Sequence, residues 1–145
     1  MADKPRILPK WVAHTKLHDG WHFAGVFRMP GSAQDWVAGA RWPEALPLVL
    51  TCAQAERGRL QLEITLEAQA ALPCQRCGEL LDWQETITQA VLLVAEEDAQ
   101  NPQAQWEVVD DRVEFEALLT QELSLHLPDF PRHTECDLQG MADAP

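Results

Sequence analysis

The residues closest to chemistry in this chain are Cys74 and Cys77, in the run Leu72-Pro73-Cys74-Gln75-Arg76-Cys77-Gly78. Two thiols two residues apart, closed by a glycine, form a knuckle. Backbone N–H groups in such a turn can point at the sulfurs, and Gly78 can take the left-handed conformation that closes it. The shape suits a tetrahedral metal, zinc above all, but it supplies only two of four ligands. Three readings of the pair stand side by side: half of a zinc site, a redox pair, and two incidental thiols. A thioredoxin-like pair sits at a helix N-terminus after a parallel strand, and no such pattern surrounds these cysteines.

Cys136 is the natural third ligand, and His133, at His-x2-Cys spacing, is the natural fourth. A loose tail is the competing reading for His133. Cys52 shares a face with Leu48 and Leu50, which makes it a small buried hydrophobe. Other chemistries find little support. The only serines are Ser32 and Ser124, and neither lies in a Gly-x-Ser-x-Gly turn. There is no glycine-rich phosphate loop. Glu96-Glu97-Asp98 reads as a solvated loop rather than a cation site.

The elements that must position these residues follow from periodicity. Residues 1–20 read as a basic, irregular lead-in, 21–136 as one domain, and 137–145 as a flexible tail. Trp21 to Arg28 reads as a strand broken by Met29-Pro30-Gly31. Ser32, three residues before Asp35, predicts a capped helix that carries Trp36, Val37 and Ala40 inward and ends at Pro43. Leu46 to Ala53 predicts a strand, and Ala55-Glu56-Arg57-Gly58 a turn. From Leu60 to Ala68 the apolar residues alternate without error, the mark of a half-buried antiparallel strand. That strand runs straight toward the knuckle. Leu80 to Val94 gives one or two more strands, so the cysteine pair becomes a hairpin tip. A polar loop over 96–105 and a short strand over 106–109 follow. Asp110 or Asp111 then predicts the cap of a helix in which Phe115, Leu118, Leu119 and Leu123 recur at helical spacing until Pro128. The fold class expected is α+β: a curled antiparallel sheet of about five strands with a C-terminal helix packed on it.

Composition narrows the function. The chain has 145 residues, enough for one domain with a real core. No run approaches a membrane span and the N-terminus has no signal-peptide pattern, so the cytoplasm is expected. There, cysteines are thiols or metal ligands rather than disulfides. The net charge of −12 is split: residues 1–42 carry six Lys/Arg against three Asp, and the rest five against twenty acids. Such an acidic bulk repels RNA phosphates. Direct RNA contact would therefore use residues 1–42, where Lys10, Lys16, Arg28 and Arg41 interleave with Trp11, Trp21 and Trp42.

The order of these features resembles the YceD family of bacteria and plastids, the large ribosomal RNA subunit accumulation proteins. The resemblance spans roughly His14 to Cys136. It is carried by the Leu72–Gly78 string and by Glu122-Leu123-Ser124-Leu125-His126-Leu127-Pro128. It implies a non-catalytic factor for 23S rRNA accumulation and large-subunit assembly, with the subunit precursor or its proteins as partners. The family's cysteine pair falls on Cys74 and Cys77, and its later cysteine on Cys136. Relatives often carry a second Cys-x2-Cys cluster near the end, where this chain has Cys136 alone. They also tend to end in an Asn-Pro-Phe segment followed by lysines, which this chain lacks. Two other classes remain beside this one: a thiol oxidoreductase using Cys74 and Cys77, and a zinc-knuckle protein-binding module with no ribosomal role.

Overall fold

The computed structural model describes residues 6–95 and 105–136. Among these residues, seven strands and one long helix follow one another: β1 (Trp11–Ala13), β2 (His22–Arg28), β3 (Ala45–Gln54), β4 (Leu60–Pro73), β5 (Leu80–Ala95), β6 (Gln105–Val108), β7 (Arg112–Glu114) and α1 (Phe115–His126). The α+β class expected from the sequence is the one the structure has. An open five-stranded sheet runs β2-β3-β4-β5-β6, and β1 pairs with β7 in a separate ribbon. The pairs β2–β3, β3–β4 and β4–β5 are antiparallel, while β6 runs parallel to β5.

Alternation builds the core. Leu46, Leu48, Leu50 and Cys52 of β3 and Leu62, Ile64, Leu66 and Ala68 of β4 are all buried on one face. The register sets Leu48 opposite Leu66, Leu50 opposite Ile64 and Cys52 opposite Leu62. On the next strand Ile87 stands opposite Leu66 and Val91 opposite Leu62. Each of these large side chains contributes roughly 1.5–3 kcal/mol by leaving water. Helix α1 completes the same core with Phe115, Leu118, Leu119 and Leu123, spaced three and four apart.

The alternation in β4 extends past the expected end, through Ala70 and Leu72 to Cys74. The hairpin β4–β5 thus projects beyond β3, whose first partner on β4 is Leu66. The exposed flank of β4 is met by the chain after β2. Arg41 and Ala71 exchange both backbone hydrogen bonds at 2.8 Å. Trp36, Trp42 and Trp83 stack edge to face there, with centroids 5.4 and 6.3 Å apart.

Three expectations are corrected. The helix predicted from Ser32 is only a 3-10 turn over Gly31–Asp35, without a side-chain cap. Gly39, at φ +81°, takes the chain away from helix soon after, before Pro43 is reached. Asp110 and Asp111 do not cap α1, which starts after Glu114 with no side-chain cap. Both lie in the left-handed region (φ 53° and 59°), as the centre of a two-residue turn closed by a bridge from Val109 to Arg112. The segment expected to be irregular up to residue 20 contributes β1, and its Leu8 and Leu17 are buried. Asp111 holds this segment in place. Its backbone C=O accepts the N–H of His14 at 2.7 Å, and its carboxylate accepts the N–H and hydroxyl of Thr15 at 3.2 and 3.1 Å.

Gly25 lets the lead-in reach the sheet. Val26 and residues 6–8 exchange backbone bonds along the outer edge of β2. A Cβ on Gly25 would overlap the carbonyl oxygen of Arg6. The loop predicted at 96–105 falls, apart from Gln105, outside the described residues, and so does the tail at 137–145.

Candidate metal centre

The β4 pleat carries Cys74 inward, 3% exposed, at the end of a strand whose inward positions are otherwise Leu, Ile and Ala. The turn that follows is tied by its own backbone. The N–H of Cys74 donates to the Glu79 carbonyl at 2.8 Å, and that of Gly78 to the Cys74 carbonyl at 2.9 Å. Gly78 sits at φ +81°, the left-handed conformation expected of it. The N–H of Arg76 points at the Cys74 sulfur, 3.4 Å away.

The other half of the site comes from beyond α1. The helix ends at His126, whose Nδ1 lies 3.2 Å from the Glu85 carboxylate on β5. Past Pro128 the chain crosses the hairpin tip, where the Gln75 N–H donates to the Pro131 carbonyl at 2.8 Å. Residues 134–136 are helical. His133 and Cys136 therefore arrive beside the knuckle, as their spacing predicted.

One donor atom from each of Cys74, Cys77, His133 and Cys136 lies within 4.8 Å of all the others. His133 Nδ1 is 3.4 Å from the Cys77 sulfur and 3.8 Å from the Cys136 sulfur. A tetrahedral zinc with ordinary bond lengths separates sulfur from nitrogen by about 3.6 Å. The His133 Nε2–H donates to the Leu80 carbonyl at 3.2 Å. This fixes Nε2 as the outer donor and aims Nδ1 at the sulfurs, where it donates its proton to the Cys74 thiolate and would offer a lone pair to a metal once that proton leaves.

The electrostatics suit a cation. Burial pushes the Cys74 thiol up, but the N–H groups of Cys77, His133 and Arg76, with the His133 side chain, outweigh it and lower the pKa to about 5. Hydrogen bonding to Cys74 raises the pKa of His133, and the Leu80 carbonyl adds to this. Burial pushes the Cys136 thiol up to about 11, helped by hydrogen bonds to the Cys74 and Cys77 sulfurs. The geometry collects one thiolate, two further sulfurs and an imidazole around one point. That donor set fits zinc, and bound zinc would tie the hairpin tip to the chain after α1.

The remaining sequence-derived residues lie elsewhere. Cys52 is buried within the sheet core, where burial pushes its thiol up to about 11. Lys10 lies 4.0 Å from Glu116, and Arg28 3.6 Å from Glu44. These two line one hollow with Ser32, while Lys16 and Arg41 are exposed and do not line it. The tryptophans among them are engaged internally. Trp21 stacks on Phe115 at 5.9 Å, Trp42 belongs to the edge-to-face cluster, and the guanidinium of Arg112 lies 4.1 Å over Trp11.

Sequence reasoning missed Glu122, a buried acid on the core side of α1. The signal was there, since position 122 continues the stripe through Phe115, Leu118 and Leu119. No protein-family model, curated protein or solved structure matches the chain.

Proposed function

We propose that this chain is a zinc-stabilised, non-catalytic factor that promotes 23S rRNA accumulation and large ribosomal subunit assembly in the cytoplasm. The ribosomal part rests on the resemblance carried by Leu72–Gly78 and Glu122–Pro128. The observation that supports the rest is the convergence of Cys74, Cys77, His133 and Cys136 on one point. In this reading His133 supplies the fourth ligand, which the resemblance assigns to a second cysteine cluster in the relatives. Four protein ligands leave zinc no open position for a substrate, as in structural rather than catalytic sites. The partner in this reading is the subunit precursor or one of its proteins, with RNA contact confined to residues 1–42.

Depletion of the protein tests the reading. The expected result is accumulation of 23S rRNA precursor and a deficit of large subunits, restored by the wild-type chain and not by Cys136→Ser. Normal precursor levels and normal subunit profiles would overturn it. If RNA binds directly, charge reversal at Lys10 and Lys16 weakens binding, and the remaining affinity falls steeply with salt.

The thiol-oxidoreductase reading draws on the low pKa of Cys74. It requires turnover of a disulfide substrate that Cys77→Ser abolishes. A binding module without ribosomal role would instead recover no large-subunit components in a pull-down.

A further inference from the structure

The sheet has two outer strands, and the fold treats them differently. Residues 6–8 cover the edge of β2, and Arg41 bridges the projecting flank of β4. At the opposite side, among the described residues, β6 has β5 as its only strand partner. An uncovered edge presents a row of backbone donors and acceptors, which proteins cover or use.

The reason no described strand lies on the outer side of β6 is found in the Asp110-Asp111 turn. β6 and β7 leave that turn as the start of a hairpin, joined by the Val109–Arg112 bridge. They then part, β7 toward β1 and β6 along β5. A hollow of about 330 Å³ lies in the fork, between β6 and one stripe of α1 and its cap. Trp106, Val109 and Ala117 give it apolar walls, and Val109 is 45% exposed. Glu107 and Glu114 line it too, and among the described residues no Lys, Arg or His does. The nearest cation along the chain, Arg112, lies over the Trp11 ring.

We infer that this fork is a docking site for an extended segment of a basic protein, added as a further strand on the side of β6 that no described strand covers. Backbone pairing with β6 supplies affinity without sequence demand. Specificity comes from the fork: one apolar side chain fills the hollow beside Ala117, and lysine or arginine at neighbouring positions meets Glu107 and Glu114. A net charge of −12 steers such a partner in and repels an acidic one. The inference does not depend on the ribosomal reading, and its test reads peptide binding alone.

Selection from a displayed library of random decapeptides on the full-length chain is the experiment. Peptides that alternate apolar and basic residues are expected to be enriched. The best of them should slow amide hydrogen exchange at Trp106, Glu107 or Val108. Glu107→Lys should weaken its binding tenfold or more. So should Ala117→Leu, an exposed position where a larger side chain fills the hollow without changing the charge. Absence of enrichment overturns the inference, as does equal binding by both variants or protection elsewhere in the chain. Concentration-dependent dimerisation that protects β6 would overturn it in favour of a second copy.

Discussion

At the residue scale, the four cysteines divide by surroundings rather than by type. Cys74, Cys77 and Cys136 meet a histidine, whereas Cys52 meets leucines. We therefore expect Cys77→Ser and Cys136→Ser to lose zinc in the presence of a moderate chelator, while Cys52→Ser retains one equivalent. Elemental analysis of the purified variants reads this directly. Zinc bound equally by all three would move the metal away from the cluster. Cys52→Ser should still cost about 1–3 kcal/mol, because it buries a hydroxyl among apolar side chains. The sequence made the knuckle legible through local spacing. His133 was harder to read, because its role depends on a Pro131–Gln75 backbone bond that spans most of the hairpin and the helix.

At the element scale, α1 carries a cost within its core-facing stripe. Glu122 is 4% exposed, and burial raises its pKa, with the nearby His126 opposing the rise. A carboxyl whose pKa is raised in the folded state contributes fully below its unfolded value of about 4.5. That contribution is lost as the pH climbs through the folded value and the buried group ionises. Glu122→Gln should therefore stabilise the protein at pH 8 and have little effect at pH 4. Urea denaturation at the two pH values measures the difference. A destabilised variant at pH 8 would mean that the His126 contact outweighs burial. The elements themselves were legible where one rule dominated, as in the unbroken alternation of Leu60–Ala68. Asp110 and Asp111 were misread because aspartate serves both helix caps and left-handed turns. The choice was made by pairing between β1 and β7, which local sequence does not contain.

At the scale of the whole molecule, the apolar core and the metal cluster stand at separate places. The core rows of β3, β4 and α1 are closed by leucine, isoleucine and phenylalanine, while the cluster sits on the projecting end of the β4–β5 hairpin. Zinc removal should then act locally. We expect a strong chelator to speed amide exchange at Gln75, Gly78 and residues 132–136, and to leave the amides of Leu50 and Leu62 unchanged. Hydrogen-exchange mass spectrometry resolves these segments. Faster exchange throughout β3 and β4 would show that the metal holds the entire fold together. The α+β class was readable from the sequence because periodicity reports burial. The parallel joining of β6 to β5 was not, since strand direction depends on the path of the connection rather than on the strand's own residues.

The separation of the two halves of the cluster along the chain has a consequence for biosynthesis. Cys77 is made 56 residues before His133, with β5, β6, β7 and α1 between them. During translation the knuckle emerges with two sulfurs and no partner. A nascent chain arrested between Cys77 and His133 would carry only two of the four donors, a half-site that holds zinc weakly. Bound metal would thereby be coupled to completion of the helix and the crossing at Pro131, so its uptake would report that the segment carrying His133 and Cys136 has folded back.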